Sequence, residues 1–469
     1  MPLIGVYGNM GRYYYDAVRY LDELASGYGN VVSFARGMRR GILWPADKSP
    51  GALFLFGEAL LNQVLIKHAT ASFAEVAVAR LPPEWGPVAR LLGGLLWTVG
   101  NQHRQHRRLI MPLYHLKRVQ KYRDLIVDNI ERVLSGFKEG DVMSMATTAG
   151  DMLVQYQNET VLGVSGLPPH LHDLGQRIVE FSIAVSRPVA HFTPNLPFSP
   201  RRRVLELGTR LSNDFDTLFA TKRQQPDASD VLGMLTHGRC EDGSPLTDEE
   251  LVAEALNLFV AGWVSTRSSV AWTTLLIAQH PKVARALHEE LSSVLQGQPP
   301  TIEQLRQLPL LDRVIKESLR LIPPIPLLSR VATEQVVLGG HNVPARTELY
   351  LSIYHTHRDP QVFPDPHRFD PDRWLTINPG PYQYLPFGIG ERTCPGTALA
   401  NLQIKMLFAT LLQRYRLELK RDAKVNCVGI GVVEPKPDVQ VILRKHDGRF
   451  EASATRVRGN VNQMVKFDV

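Results

Sequence analysis

Phe387-Gly388-Ile389-Gly390-Glu391-Arg392-Thr393-Cys394-Pro395-Gly396 concentrates more chemistry than any other stretch of this 469-residue chain. Cys394 is one of three cysteines, and a thiolate is a soft, electron-rich metal ligand. Gly388, Gly390 and Gly396 carry no Cβ, so the backbone can turn tightly and come close to a flat macrocycle. Backbone N–H groups around a sulfur soften its charge and tune a bound metal. A helix whose first residue is Pro395 would help hold the sulfur as thiolate. Phe387 can lie against a ring, and Arg392 can reach a carboxylate on it. The bland alternative, a buried structural cysteine beside a glycine-rich turn, fits less well with five fixed positions in ten.

The order F-x-x-G-x-R-x-C-x-G resembles the haem-binding loop of the cytochrome P450 family, in which a cysteine thiolate is the axial iron ligand. The resemblance implies that Cys394 is that ligand. No C-x-x-C-H motif is present, so haem b held without covalent attachment is the implied cofactor. Upstream, Glu317 and Arg320 lie three apart in VIKESLRL and share a helix face. As a surface pair they would contribute little. In the resembled family this pair joins a second arginine from a proline-rich loop, here Arg373 in FDPDRW, in a buried network that holds the loop leading to the cysteine. The order of helix, Pro323-Pro324, His357-Arg358-Asp359-Pro360, FDPDRW and cysteine loop matches the family from about residue 20 to 445.

A third group is Gly100, His103, Arg107, Arg108 and Pro112 in GNQHRQHRRLIMP. His103 and Arg107 are four apart and can face one ligand. Taken alone, a solvated basic helix explains them; the resemblance implies that they meet a haem propionate, together with Arg330 and Arg392. Two carboxylates meeting several guanidinium groups make charge-assisted pairs.

Thr247 and Glu250 form a capping box that starts a helix over Asp248–His280, and Pro281 ends it. Roughly 33 residues would make a rod of about 50 Å. Apolar residues lie on most of its faces, as in a helix buried through a domain. Gly262 costs about 1 kcal/mol there relative to alanine, and close approach of a cofactor would supply the reason. The family pattern at this point is Ala/Gly-Gly-x-Asp/Glu-Thr, whose acid and alcohol guide protons to the oxidant. Ala261 and Gly262 match it, Trp263 occupies the free position, Val264 replaces the acid, and Ser265 stands at the alcohol position with Thr266 beside it. Three accounts stay open. Ser265, Thr266 and water deliver protons without the acid; substrate groups take part; or hydrogen peroxide is the oxidant, with Arg267 either holding an anionic substrate or turned into a polar contact.

Hydrophobic content of 44% and charged content of 21% describe a globular chain with a sizeable core. Three scattered cysteines fit a reducing compartment, and a cytoplasmic location is expected. The N-terminal MPLIGVYGNMGRYYYDAVRYLDEL lacks a secretory pattern. No apolar run reaches the length of about 18 residues that a transmembrane helix needs, so a soluble, bacterial-type enzyme is expected. Net charge is +7, partly concentrated in Arg104, Arg107, Arg108, Lys117, Arg118, Lys121 and Arg123. A solvated helix face is the bland reading; no base-reading motif accompanies the run, so nucleic acid is not expected as a partner, and docking of an acidic electron carrier is the sharper reading, which the resemblance favours.

The elements that must position these residues read as mostly helical, with helices at Tyr13–Tyr28 and Leu61–His68. Strands are expected at Val31–Ala35, Ala52–Phe56, Val336–Leu338, Thr347–Ser352 and Val439–Arg444. The fold class is mainly α with small β-sheets, a P450-like single large domain over residues 1–445, with 446–469 as a polar basic extension. Pocket walls are expected from Val76–Leu96, Trp263 and Val264, Ile325–Leu328 (including Leu327) and Gly429–Val433 (including Val432). They imply a lipophilic terpenoid, steroid, fatty acid or polyketide. The expected activity is insertion of one oxygen atom from dioxygen, with electrons from a separate ferredoxin or flavodoxin and its reductase. The rivals are a peroxide-driven peroxygenase, a non-oxygenating haem-thiolate enzyme, and a haem-based binding module without turnover.

Overall fold

The computed structural model describes residues 12–13, 16–38, 49–67, 85–187, 189–190, 193–429, 431–450 and 455–468. The expected N-terminal reading, His68, and the pocket wall from Val76 to residue 84 lie outside them. Helices dominate. Those that bear on the site are α1 (Ala17–Tyr28), α2 (Gly100–Ile110), α3 (Arg123–Leu134), α4 (Met145–Gln157), α5 (Pro200–Arg223), α6 (Asp248–Ala278), α7 (Pro309–Leu321) and α8 (Thr397–Arg414).

The long helix α6 begins as its capping box dictates. Thr247 Oγ1 accepts the Glu250 N–H at 3.3 Å, and Glu250 accepts the Thr247 N–H at 2.9 Å. Asp248, Glu249 and Glu250 fill its first turn, where negative charge meets the positive end of the helix dipole. It ends two residues before the expected His280. Pro281 opens the next helix and forces its predecessor, His280, to ψ 78. The N-terminal half of α6 packs in one apolar cluster with α5, through Leu256, Phe259 and Phe215. Its C-terminal half packs in another with α3, α4, α7 and α8, through Trp272, Leu275, Leu319 and Phe408.

The strands are few and short. β1 (Val31–Met38) and β2 (Ser49–Leu55) form a hairpin, β3 is Val142–Ser144, β4 is Leu327–Val331, and β5 (Val336–Leu338) pairs with β6 (His341–Val343). β7 (Glu348–Ser352) joins β2 in parallel and β4 antiparallel, giving a sheet of order β1-β2-β7-β4. β8 (Arg416–Leu419), β9 (Asn426–Val428), β10 (Glu434–Lys436) and β11 (Gln440–Arg444) follow α8; β11 pairs with β3 and β8, and β9 with β10. β4 and the β9–β10 hairpin were not legible as strands. They are short, contain Pro435 or alternate poorly, and are held by tertiary neighbours.

The polar composition of 446–469 implies an extension, but the described part of this tail folds back onto the domain. Val457, Val461, Met464 and Val465 are no more than 2% exposed and join the main core. Each such burial contributes about 1.5–3 kcal/mol. Lys466 donates to His367 O at 2.9 Å, and Gln279 Nε2, at the end of α6, donates to Thr455 O at 2.7 Å. Most of the tail's apolar residues among those described are buried, which average composition conceals.

Candidate active site

Cys394 sits at the end of a loop tied to itself. Its N–H donates to Phe387 O at 2.8 Å, and Thr393 donates to Gly390 O through both N–H and hydroxyl, at 3.0 and 2.7 Å. Gly388 and Gly390 adopt φ 70 and φ 72, a region that only glycine enters cheaply. Gly396 has an ordinary φ of −81 and caps α8. A Cβ there would lie 3.8 Å from Cys394 Sγ, so its absence leaves room beside the sulfur. The helix begins at Thr397 rather than at Pro395, which stands before the cap. Burial pushes the Cys394 thiol above the ordinary cysteine value; the Gly396 N–H, Thr397 and the Arg107 charge pull it back. The residue is nevertheless exposed.

The middle of α6 is uncovered in the same way. Between buried Phe259 and Val270, Ala261 is exposed and Gly262, Val264 and Ser265 are partly so. Ala261, Val264 and Ser265 are spaced i, i+3, i+4 and share a face. Ser265 Oγ donates to Ala261 O at 2.9 Å, which leaves its lone pairs free to accept from water. Farther along, Thr266 and Val270 meet Gln403 and Leu407 of α8 around a void of about 30 Å³.

Two expected members of this face are turned away from it. Trp263 is 5% exposed and packs in the core, its ring under Arg267 at 4.1 Å and its Nε1 facing Gly150 of α4. Thr266 is 4% exposed and faces Tyr156, Asn129 and Gln403. The helical twist of 100° per residue separates them from Ser265. At Gly262 a Cβ would meet Gln157 Oε1 of α4 at 3.3 Å, so α4 packs close to it on one side. Arg267 forms an ion pair with Glu434 and is thus a polar contact.

Around the cysteine loop, four basic residues converge. Arg107 donates to Thr393 O at 2.9 Å, and Arg392 donates to Leu95 O at 3.1 Å and Thr98 O at 2.5 Å. Arg330 of β4 donates to its neighbour's carbonyl, Ser329 O, at 2.8 Å. Burial, then Arg392, lowers Arg330 to about 10; burial, then Arg107 among its neighbours, lowers Arg392 to about 10. Burial, then Arg392 and Arg107, lowers His103 to about 4, and its Nε2 is buried without a hydrogen-bond partner. Among the described residues no acid forms an ion pair with His103, Arg107 or Arg330. Buried His103 and three partly buried guanidinium groups on one side of the loop are suited to an anion with two carboxylates. The residues therefore fit a haem and its propionates.

The supporting network is buried. Glu317 and Arg320 are 0% exposed. The two Glu317 oxygens accept from Arg320 Nε and Nη2 at 2.9 and 2.8 Å, Arg373 Nε at 2.9 Å, Trp374 Nε1 at 3.1 Å and the Asp370 N–H at 3.1 Å. Arg320 also donates to His357 O and Pro366 O, both at 2.8 Å. His357 was not singled out by any motif role, yet its Nε2 accepts from Leu385, just before the cysteine loop. A second unpredicted cluster joins α2 to α6: His106 contacts Glu254 at 2.6 Å and Glu250 at 3.1 Å. A histidine facing carboxylates far away in sequence leaves no local signal.

Leu327 and Val432 are both partly exposed, and Ile325 is 38% exposed. Val433 is buried and accepts from Ser268 Oγ at 2.5 Å and Trp272 Nε1 at 3.2 Å. The basic run lines a surface cleft of about 840 Å³ with His103, His115 and Glu391, the last from the cysteine loop. Arg108 pairs with Glu241, and Arg118 with Ser229 O.

The family model described as Cytochrome P450 matches residues 52–443. Cyclooctat-9-en-7-ol 5-monooxygenase of Streptomyces melanosporofaciens is 32% identical over 339 residues, covering 70% of this chain and 73% of that protein. Pentalenene oxygenase of Streptomyces avermitilis is 28% identical, covering 72% of this chain and 77% of that protein. The solved structure of retinoic acid-bound cyanobacterial CYP120A1 superposes with TM-score 0.75 at 23% identity, over 91% of this chain and 94% of that one, which speaks for the fold.

Proposed function

The chain belongs to the cytochrome P450 family and is a haem-thiolate monooxygenase, and on that premise we propose that it oxidises a cyclic terpenoid, using haem b bound at Cys394. What supports the site reading is the convergence of His103, Arg107, Arg330 and Arg392 beside the cysteine loop, with the Arg392 charge lowering both His103 and Arg330 and His103 Nε2 buried without a hydrogen-bond partner. In this reading Cys394 would hold the iron through its sulfur, Phe387, Gly388 and Gly396 would border the ring, and the four basic groups would hold the propionates. Haem supplies the activation of dioxygen and the transfer of one oxygen atom.

The protein's own part is orientation and proton supply. Ala261 and Gly262 leave the middle of α6 without bulk. Ser265 accepts a proton-bearing water while donating to Ala261 O. Val264 cannot carry a proton, so water accepted by Ser265 takes over that path. Val264, Leu327 and Val432 give the substrate side apolar walls, while Trp263 and Thr266 are left out of the pocket. The substrate class rests on the relatives, whose names give cyclooctat-9-en-7-ol and pentalenene. Electrons come from an acidic ferredoxin or flavodoxin docking on the basic cleft beside Glu391.

Val264 keeps a peroxide-driven reaction as the second reading. The pairing of Arg267 with Glu434 and Trp263 removes that arginine as an anchor for an anionic substrate. The test is turnover of a panel of cyclic terpenes with a ferredoxin–reductase pair under isotope-labelled dioxygen, and with peroxide instead. Label in a product with one added oxygen supports the proposal. Product only with peroxide favours the second reading, and no product from either sinks both.

A further inference from the structure

The C-terminal tail lies beyond the family match, which ends at residue 443, yet it grips one arm of the β9–β10 hairpin. Arg458 runs beside Lys424 as a parallel bridge; Val425 donates to Arg458 O at 2.8 Å and Arg458 to Ala423 O at 2.9 Å. Gly459 then turns with φ 114, and a Cβ there would overlap the carbonyl oxygen of Val425. This places Asn460 against the free edge of β9. Asn460 Oδ1 accepts the Cys427 N–H at 2.6 Å, and its Nδ2 donates to Cys427 O at 3.2 Å. Its own N–H donates to Asn426 Oδ1 at 3.0 Å. One side chain thus satisfies both backbone groups of Cys427, as a neighbouring strand would. Nδ2 also reaches Asp16, the cap of α1, at 3.4 Å.

The other arm of the hairpin is fixed on α6, where Val433 O accepts from Ser268 and Trp272 and Glu434 pairs with Arg267. Gly429 follows β9 with φ 125, and a Cβ on it would overlap Val432 O, so Val432 stands directly against the end of β9. That close contact ties the position of Val432 to the β9 arm. We propose that Asn460 is a positioning residue for substrate selection: by holding Cys427 it sets where Val432 stands in the pocket. This rests on the reading above that Val432 lines the substrate side.

The test uses full-length, haem-loaded protein with Asn460→Ala and Asn460→Asp. Amide exchange over residues 426–436 should quicken at least about fivefold in Asn460→Ala, the loss of one to two net hydrogen bonds. Asn460→Asp keeps the Oδ1 acceptor and should lie between. Binding of imidazole and of 4-phenylimidazole to the ferric haem is then compared. The ratio of their dissociation constants should shift about threefold or more, by the same loss, because only the larger ligand reaches the wall. The thiolate-type carbon monoxide band should stay in place. Unchanged exchange overturns the proposal. Val432→Phe separates the two readings. If it moves the ratio and Asn460→Ala does not, the clamp fails; if neither moves it, the assignment of Val432 to the pocket fails.

Discussion

His357 Nε2 accepts the backbone N–H of Leu385 at 2.9 Å, and so joins the buried Glu317–Arg320 network to the start of the cysteine loop. Burial, then Arg320 and Arg358, lowers His357 to about 3. It is therefore neutral and can serve as an acceptor at every pH where the fold persists. His357→Ala would strand a buried N–H at a cost of about 1–3 kcal/mol. The expected outcome is lower thermal stability and faster haem loss, with His357→Gln restoring part of both. Equal haem retention in parent and alanine variant would disconnect the network from the loop.

Glu317 stands between two buried guanidinium groups. Glu317→Ala should destabilise by about 3–5 kcal/mol, because Arg320 and Arg373 lose their counter-charge. Arg373→Ala should cost less than the sum of independent effects suggests when combined with it. A double-mutant cycle in denaturant measures this coupling, and strict additivity would contradict the geometry.

Cys394→Ser should remove the red-shifted ferrous carbon monoxide band, whereas Cys240→Ser and Cys427→Ser should retain it. Burial pushes the Cys427 thiol up to about 12, so it is a neutral core group. Survival of the band without Cys394 would overturn the ligand assignment.

His106 gives a pH dependence of known sign. Burial lowers its affinity for a proton, but the carboxylates of Glu254 and Glu250 more than reverse this, and its pKa is raised above 6.5. The charged form is favoured in the folded state, so its contribution is complete below pH 6.5 and is lost as pH climbs through the raised value. Denaturant unfolding between pH 6 and pH 9, about the window in which histidine linkage acts, should show stability falling with pH. In His106→Gln this slope should flatten. A slope unchanged by the substitution would mean that other groups carry it.

Ser265→Ala should lower product formed per electron consumed and raise peroxide release, since Val264 offers no proton path. Thr266→Val should leave that ratio near the parent value, because Thr266 faces Gln403 and Tyr156 on another side of α6. Electron and peroxide accounting on the three proteins decides it. A larger effect at Thr266 than at Ser265 would reverse the orientation of the helix.

The cysteine loop, the capping box of α6 and the Glu317–Arg320 pair were legible because each is a short-range pattern, whereas the grouping of Arg373 with that pair, and of His103 and Arg107 with Arg330 and Arg392, came only from the family resemblance. Gly388 and Gly390 satisfy local dihedral demands, Thr247 and Glu250 are three residues apart, and spacing alone puts Glu317 and Arg320 on one helical turn. Trp263, Thr266 and the tail were misread for the opposite reason. Their neighbours, Gly150, Gln403 and Asn426, lie far away in sequence.

The amino-acid sequence by itself determined the family and the mainly helical class, and it singled out the loop around Cys394, since these follow from residue type and local spacing. Only the tertiary structure decided which face of α6 is left uncovered at Ala261, Val264 and Ser265. Packing rotates a helix about its axis, and the absence of a side chain at Gly150 admits Trp263 to the core and so turns Ser265 the other way. It also decided that Arg392 binds Leu95 O and Thr98 O, and that a polar tail becomes part of the core. A backbone carbonyl or the edge of a strand carries no mark in the sequence, and its partner is chosen by proximity in three dimensions.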